Sequence, residues 1–573
     1  MTRGTCIFLL AAATALAAPK LRLGTTVVGP VSVAAGGIAA TQTVEAFNTG
    51  DGALSLTVSA SAAWILPSVG PVRTCLMRPG TCIPITVAFA TSGLARGTHT
   101  GTVTVRDPNA TDAPQFILAT VQAGGAVPDR LEFFAAPNGS SEESTFTANR
   151  PLTGAPSTQA GGNWLSFVFD GVGSFQFVLP YKVTARHLAG MAEGAYAGTL
   201  RTQSSGFDPD SKTIPVSFRV TSQPILRVSP DTLRVRVAQG AVRQQHNLLL
   251  LNRGMGTLTV TGVNATTASG GNWLTAEKAA GFDVATLTID AGGLGPGVYT
   301  GTVTYASNAV NTSLATSVIL EVVAQGAPTS FLDGVVNNAT FAGGDVLGRG
   351  LIAAVFGEQF TLRAAQGATS LPLGTELDGV RVFVNDRPAP VYFVSHGQVN
   401  FQIPYESPAS EVVVRVDRDG VRGNNVSARI VDRAPRILRL GIGDYAIIVN
   451  QDGTFPMPAT PGIASRPARA GDVLVIYLLG GGPTTPFAES GVAAPASPLA
   501  NVVPAPVVIF GGVAGLLEGI PVQPLFYGLT PGLVGLYQVN VVVPEGLQPG
   551  DNVQLYMEGG GVTSNRVRLA IQR

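Results

Sequence analysis

The chain of 573 residues is poor in charge, in cysteine and in histidine. Charged residues are only 13%, and 36 Lys+Arg balance 36 Asp+Glu. A neutral chain without a basic cluster argues against nucleic acid and against an anionic membrane surface as partners. No long apolar stripe at helical period occurs beyond the first residues, so long amphipathic helices are not expected. No later apolar run free of Pro and Gly reaches a spanning length, 473–479 being far too short, so no membrane span is expected. The four His are His99, His187, His246 and His396, and none has a second ligand at metal spacing. Gly-x-Ser-x-Gly, phosphate-loop and dinucleotide motifs are missing. Carboxylates are too scattered to nominate a glycosidase pair. Asp208-Pro209-Asp210 and Asp417-Arg418-Asp419-Gly420 lack the third acid and closing Glu of a calcium loop, and read as hairpin turns. No catalytic residue, cofactor or metal is therefore expected, and the chain reads as a non-enzyme.

What is present is apolar material, 45% of the chain, broken up by 70 Gly and 40 Pro. That combination predicts many short strands and an all-β protein of three to five domains. Residues 1–17 have the form of a secretory leader. Arg3 gives the positive end, 6–16 the apolar core, and Ala15-Leu16-Ala17 the small-x-small cleavage site. The mature chain is expected to be secreted, periplasmic or at the cell surface. Removing the leader leaves Cys75 and Cys82, with Pro79-Gly80 between them as a turn. In an exported protein such a pair reads as a disulfide, the alternative being two reduced buried thiols.

The three tryptophans mark a repeat: Ala63-Trp64-Ile65, Asn163-Trp164-Leu165 and Asn272-Trp273-Leu274. About thirty residues after each comes a second marker: Gly97-Thr98-His99-Thr100-Gly101, Gly194-Ala195-Tyr196-Ala197-Gly198 and Gly297-Val298-Tyr299-Thr300-Gly301. Spacings of 100 and 109 residues between the tryptophans are domain-sized. The first Gly of the marker is expected to supply a positive φ in a tight turn. Each Trp is expected to fill the space between two facing sheets, the competing reading being a sugar-stacking platform. An immunoglobulin-like sandwich suits units of this length.

A second repeat covers the C-terminal half. Gln398-Val399-Asn400 leads to Pro404, and Gln538-Val539-Asn540 leads to Pro544. In 537–543 the alternation puts Tyr537, Val539, Val541 and Val543 on one face of a strand that proline then ends. Six features recur in the same order in both halves, which predicts a duplicated sandwich. The expected division is 18–124, 125–223, 224–326, 330–433, a connecting hairpin 434–468 with Asp452-Gly453 at its turn, and 469–573. The expected arrangement is a rod of tandem immunoglobulin-like β-sandwiches.

The Trp-Leu and Gly-x-Tyr-x-Gly-Thr-Val pattern resembles the BACON family of all-β modules. Residues 226–323 match best, while the first unit departs at Ile65 and His99, and the second has an insertion near 186–191. The resemblance implies a secreted sandwich, proposed in that family to bind carbohydrate or mucin, and carries over no binding residue. Each C-terminal half resembles an IPT/TIG-type sandwich. The region 330–573 as a whole resembles an uncharacterised domain at the C-termini of exported acidobacterial proteins, through 334–343, 397–406, 450–453, 528–532 and 535–544. It departs at His396, at Ala434-Pro435-Arg436 and at 478–483. This resemblance implies architecture and export without a reaction.

The expected function is extracellular binding or adhesion, with a glycan or another protein as ligand. The alternative is a structural spacer or assembly module. A third reading, a secreted hydrolase, requires a site formed across domains. The stretch 480–506 is long and rich in Gly, Pro, Ala and Ser, and contains Phe487 and Glu489. Such loops are often functional or disordered. With an apparent insertion at 513–520 it is the candidate contact surface, Phe487 being the apolar anchor; the alternative is a floppy connection.

Overall fold

The computed structural model describes residues 18–171, 179–281, 283–441, 444–460, 463–511, 519–559 and 561–572. The expected leader at 1–17, and 513–518 of the expected insertion, lie outside the described residues. The protein is all-β, a tandem of immunoglobulin-like sandwiches. The only helical element among the described residues is a three-residue 3-10 turn, Asp208–Asp210. Five hydrophobic clusters mark five cores.

The first three cores sit in sandwiches of one topology. In each, one sheet runs from an early strand, through a parallel pairing with the last strand, to the glycine-marker strand and then a short edge strand. In the first unit these are Val27–Val33, Gln115–Ala123, Gly97–Arg106 and Thr57–Ala60. In the third they are Thr232–Ala238, Ala315–Val323, Gly297–Ser307 and Val260–Thr267. The facing sheet of the first unit is Leu21–Leu23, Gln42–Asn48, Thr81–Phe89 and Ile65–Val69.

The two sequence markers touch each other, which explains their fixed spacing. A Cβ on Gly301 would stand 2.7 Å from Leu274 and 3.3 Å from the Trp273 ring, and one on Gly198 3.2 Å from the Trp164 ring. The second glycine is therefore a seat for the core side chain from the opposite sheet. Trp164 and Trp273 are 1% and 2% exposed, and each donates its indole N–H to a carbonyl four residues earlier, Ala160 and Ser269. Trp64 is only partly buried, stacked on Phe89 at 6.0 Å, and Ile65 takes the seat on Gly101 instead. The marker tyrosines Tyr196 and Tyr299 donate to the carbonyls of Ala192 and Gly295. His99 makes the same contact with Ala95, so His substitutes for Tyr without changing the turn. The first glycine has a positive φ at Gly97 (+137°), whereas Gly297 is ordinary backbone.

The duplication is equally visible in the ladders. Ile352–Glu358 pairs with Gln398–Gln402, which pairs with Val391–Val394; Val473–Leu479 pairs with Tyr537–Val542, which pairs with Phe526–Leu529. On each Q-V-N strand the outward Gln donates to the outward Asn, Gln398 to Asn400 at 2.7 Å and Gln538 to Asn540 at 3.3 Å. Val399, Phe401, Tyr537, Val539 and Val541 face the cores. Both strands stop before their prolines, Pro404 and Pro544. Asn424 and Asn565, each just ahead of the last strand of its unit, act as backbone clamps. Asn424 takes the N–H and meets the C=O of Ser330, and Asn565 does the same with Ile437. A side-chain amide thus supplies two ladder bonds where the first and last strands meet.

Two expectations are revised. Residues 434–468 are not a separate connector: Arg436–Ile437 and Ile448–Asn450 pair with Val473–Leu479, and Ile437, Ala446, Ile448 and Ala468 lie in the fifth core. Asp452-Gly453 does occupy a tight turn, closed by Asn450 N–H to Thr454 C=O at 2.8 Å. The tandem row also folds back on itself. Asp112 of the first unit accepts the backbone N–H of Ser427 at 2.6 Å and its hydroxyl at 2.9 Å, in the fourth unit, and its own N–H goes to Asn425 C=O. Arg22 pairs with the same carboxylate, Lys20 with Glu411, and Asn424 donates to Ala113 C=O.

Candidate functional site

Two places combine exposed chemistry with a fixed frame: the tip of the first unit and the cleft between the first and third units.

The tip is built by a disulfide. Cys75 and Cys82 are bonded, closing the hairpin made by Arg73–Thr74 and Thr81–Phe89. Such a bond belongs to an oxidising compartment. Glu45, from the next strand, accepts the N–H of Leu76 and pairs with Arg73 at 3.1 Å, and the Arg78 guanidinium lies 3.5 Å over the Phe47 ring. The hairpin is thus held at its base, while Leu76 and Met77 project at 69% and 88% exposure. Leu66, Val69 and Val72 extend the apolar rim along the neighbouring edge. Among the described residues, Glu45, Cys75 and Cys82 form the one group spaced for a metal, but its sulfurs are joined to each other.

The edge itself is poor in donors for strand addition, with Val69 its one outward N–H left open among the described residues. Ala90 N–H bonds Trp64 C=O and Gly70 N–H bonds Pro84 C=O, so the even-numbered residues of this edge face inward and the odd ones outward. Outward Pro67 and Pro71 have no N–H, and that of Ile65 goes to Ala62 C=O. Contact at this rim is left mainly to side chains.

The cleft lies where Gly97–Arg106 and Gln115–Ala123 face Thr232–Ala238 and Ala315–Val323. It holds about 170 Å³ and is walled by Thr100, Thr102, Leu118, Arg234, Ile319 and Glu321, among others. At its inner end Arg236 stands 3.0 Å from Glu358 of the fourth unit, 3.7 Å from Glu321 and 4.9 Å from the Phe116 ring. Phe116 meets Phe331 edge-on at 5.7 Å, so three units converge there. Burial pushes the Glu358 carboxyl up, opposed by Arg236. Two carboxylates therefore do meet across a domain boundary, the condition set for a hydrolase. They share one guanidinium, an arrangement that differs from the open acid and nucleophile of a glycosidase.

The loop 480–506 is neither floppy nor free. Ala488, Ala494, Ala500 and Val502 lie in the fifth core. Gly491 N–H donates to Gln402 at 2.6 Å, Ser490 Oγ accepts Tyr405 N–H, and Leu373 N–H donates to Gly491 C=O. The loop cements the fourth and fifth units together, so it would not tolerate the shortening that an independent surface loop allows. Phe487 stays 56% exposed, edge-on to Tyr405 at 5.8 Å, and Glu489 is exposed beside it.

Other expected features resolve into structure. Asp210 is buried and accepts the N–H groups of Ala126 and Val127, anchoring the linker between the first two units. Asp419 and Gly420 make a turn with φ of +48° and +78°, and Asp419 pairs with Arg363. His187 and His396 bond the carbonyls of Met191 and Thr361, and burial lowers the pKa of His246 and of His396. Among the described residues no helix is long and apolar enough to cross a membrane.

No protein family matches the chain, and no curated protein matches its sequence. Among solved structures, Drosophila N-cadherin EC1-4 overlaps at 12% identity and a TM-score of 0.18, covering 66% of this chain and 93% of that one. The human Desmocollin-1 ectodomain overlaps at 10% and 0.16, covering 72% and 80%. The N-terminal eight Ig domains of Down Syndrome Cell Adhesion Molecule overlap at 10% and 0.16, covering 97% and 69%. At such scores the overlap carries nothing about unit arrangement or ligand; the fold class stands on the sheets themselves.

Proposed function

We propose that the mature chain is an exported, non-enzymatic binding or adhesion protein whose ligand is a glycan or another extracellular protein. The observation that carries this is the apolar tip of the first unit: Leu76 and Met77 project from a disulfide-stapled hairpin, and Val72 just before it is exposed as well. A spacer has no use for such a cluster, and a clustered exposed apolar rim is the usual mark of a contact surface. Among the described residues the exposed aromatics are Phe169, Phe341 and Phe487. The first three units are proposed as BACON-like modules, and 330–573 as the acidobacterial C-terminal domain built from two IPT/TIG-like halves.

The rival assembly-module reading has its own support in the polar latch between Asp112 and Ser427, which fixes units 315 residues apart. The deciding experiment is a glycan and cell-surface-protein array probed with the mature chain. Saturable binding to members of either class supports the proposal. Silence across both arrays overturns it in favour of the assembly module.

A further inference from the structure

We infer that the cleft between the first and third units is a binding site for a small hydroxylated carboxylate of the size and chemistry of one uronic acid ring. The inference goes beyond the adhesive rim and uses none of its residues.

Arg234 is exposed at the cleft, and its one hydrogen bond runs across the gap to Thr100 Oγ1 at 3.2 Å. Among the described residues it has no carboxylate partner, whereas Arg236, two residues on in the same strand, stands against Glu358 and Glu321. An exposed guanidinium without a carboxylate partner, at the mouth of a cleft, is a ready partner for an anion, and a guanidinium suits a carboxylate best.

The other polar groups ask for hydroxyls. Glu321 lines the cleft as a carboxylate acceptor, its Oε1 standing 3.7 Å from Arg236 without a hydrogen-bond donor. Thr100 and Thr102 place two more hydroxyls on the opposite wall. The charges are ordered along the cleft. A ligand carboxylate belongs at the Arg234 mouth, and donor hydroxyls belong toward Glu321, which repels a second anion.

The remaining walls are apolar. Leu118 is exposed, and Val298 and Ile319 are half-buried. They offer C–H surface to the face of a ring. A volume of about 170 Å³ is below that of drug-sized pockets, and suits a single ring. A hydroxylated ring with one carboxylate suits the Arg234 guanidinium, the Glu321 carboxylate, the hydroxyl wall and the apolar wall at once.

The test is calorimetric titration of the full mature chain with glucuronate, with glucose, and with an oligosaccharide ending in glucuronate. Glucuronate is expected to bind saturably, and glucose about tenfold more weakly or worse, since it lacks the charge-assisted bond. Binding of the oligosaccharide as well would identify a polymer end as the source of the acid; binding of the free sugar alone would identify a small solute. Arg234→Gln should reduce glucuronate affinity about tenfold, and Arg234→Lys should restore part of it. Arg234 is exposed, so neither change disturbs a core; Thr100→Val on the opposite wall gives a second reading that keeps the charge. Changing Leu76 and Met77 to Ser should leave glucuronate binding intact, which separates this site from the rim. Absence of saturable glucuronate binding, equal binding of glucose, or indifference to Arg234→Gln would overturn the inference.

Discussion

The hydroxyl of Tyr405 lies 3.0 Å from the hydroxyl of Tyr537, and the two rings come from different sandwiches. Tyr537 donates onward to Gly482 C=O at 2.6 Å, so Tyr405 is the donor to Tyr537. Tyr405 follows Pro404 at the end of the fourth unit's Q-V-N strand, yet its ring belongs to the fifth core, while Leu479 of the fifth unit belongs to the fourth core. Gly350 makes room for it: a Cβ there would stand 2.0 Å from the ring. Burial raises the Tyr405 hydroxyl to about 12, so it stays a neutral donor.

Tyr405→Ala should therefore destabilise the fourth and fifth units together, by roughly 3–5 kcal/mol. Tyr405→Phe, which leaves Tyr537 its bond to Gly482, should cost only about 1 kcal/mol. Urea denaturation of the full chain measures both. An unchanged midpoint for Tyr405→Ala would mean the two cores are independent.

Trp273→Ala should destabilise its unit by roughly 3–5 kcal/mol through the cavity it leaves. Trp64→Ala should cost clearly less, because that ring is partly exposed and Ile65 holds its seat on Gly101. Equal losses at both positions would contradict the assigned packing. Loss of glycan binding by Trp273→Ala with no loss of stability would restore the sugar-platform reading.

Much of this architecture is legible in the chain. Period-two alternation sets the strands, and the Trp and glycine markers recur because the ring and the glycine touch. The Q-V-N repeat reflects an outward Gln–Asn bond that any second copy needs again. Contacts between units are not legible. Nothing local distinguishes Asp112, which reaches Ser427, from a surface turn residue, or Tyr405 from a strand-end aromatic. Their partners lie 315 and 132 residues away, and no periodicity links such positions. The stretch 480–506 was open for the same reason. Its alanines look like linker composition, and only the neighbouring sandwich makes them core. Of the site, the disulfide was readable from spacing, whereas the cleft exists only because the row folds back.

Asp452 sets a pH dependence. Its carboxylate accepts the Thr454 hydroxyl at 2.6 Å and the Arg466 guanidinium at 2.5 Å, which together hold its pKa down to about 2. A carboxyl depressed by folding stabilises the fold above its unfolded pKa, and loses that contribution as the pH falls through the folded value. An NMR titration should place its midpoint near 2, and Thr454→Val should raise it. A midpoint in the usual carboxylate range would contradict this turn geometry.

The fold-back is centred on a buried carboxylate, Asp112, beside the Lys20–Glu411 and Asn424–Ala113 contacts. Asp112→Ala leaves Arg22 and the Ser427 N–H without their acceptor, a loss that buried charge partners feel strongly. Small-angle scattering should then show a larger radius of gyration than the parent chain, with the five cores still folded. Identical scattering curves would show that the first and fourth units are held by something else.

The proposed function is tested most directly at the rim. An array ligand of the parent chain is titrated against the chain carrying Leu76→Ser and Met77→Ser. Both side chains project from the stapled hairpin, so the fold and the disulfide should persist. Affinity should fall about tenfold or more, the loss expected when exposed apolar anchors of a contact are removed. Unchanged affinity in a folded, disulfide-bonded double variant would contradict the rim as the contact surface.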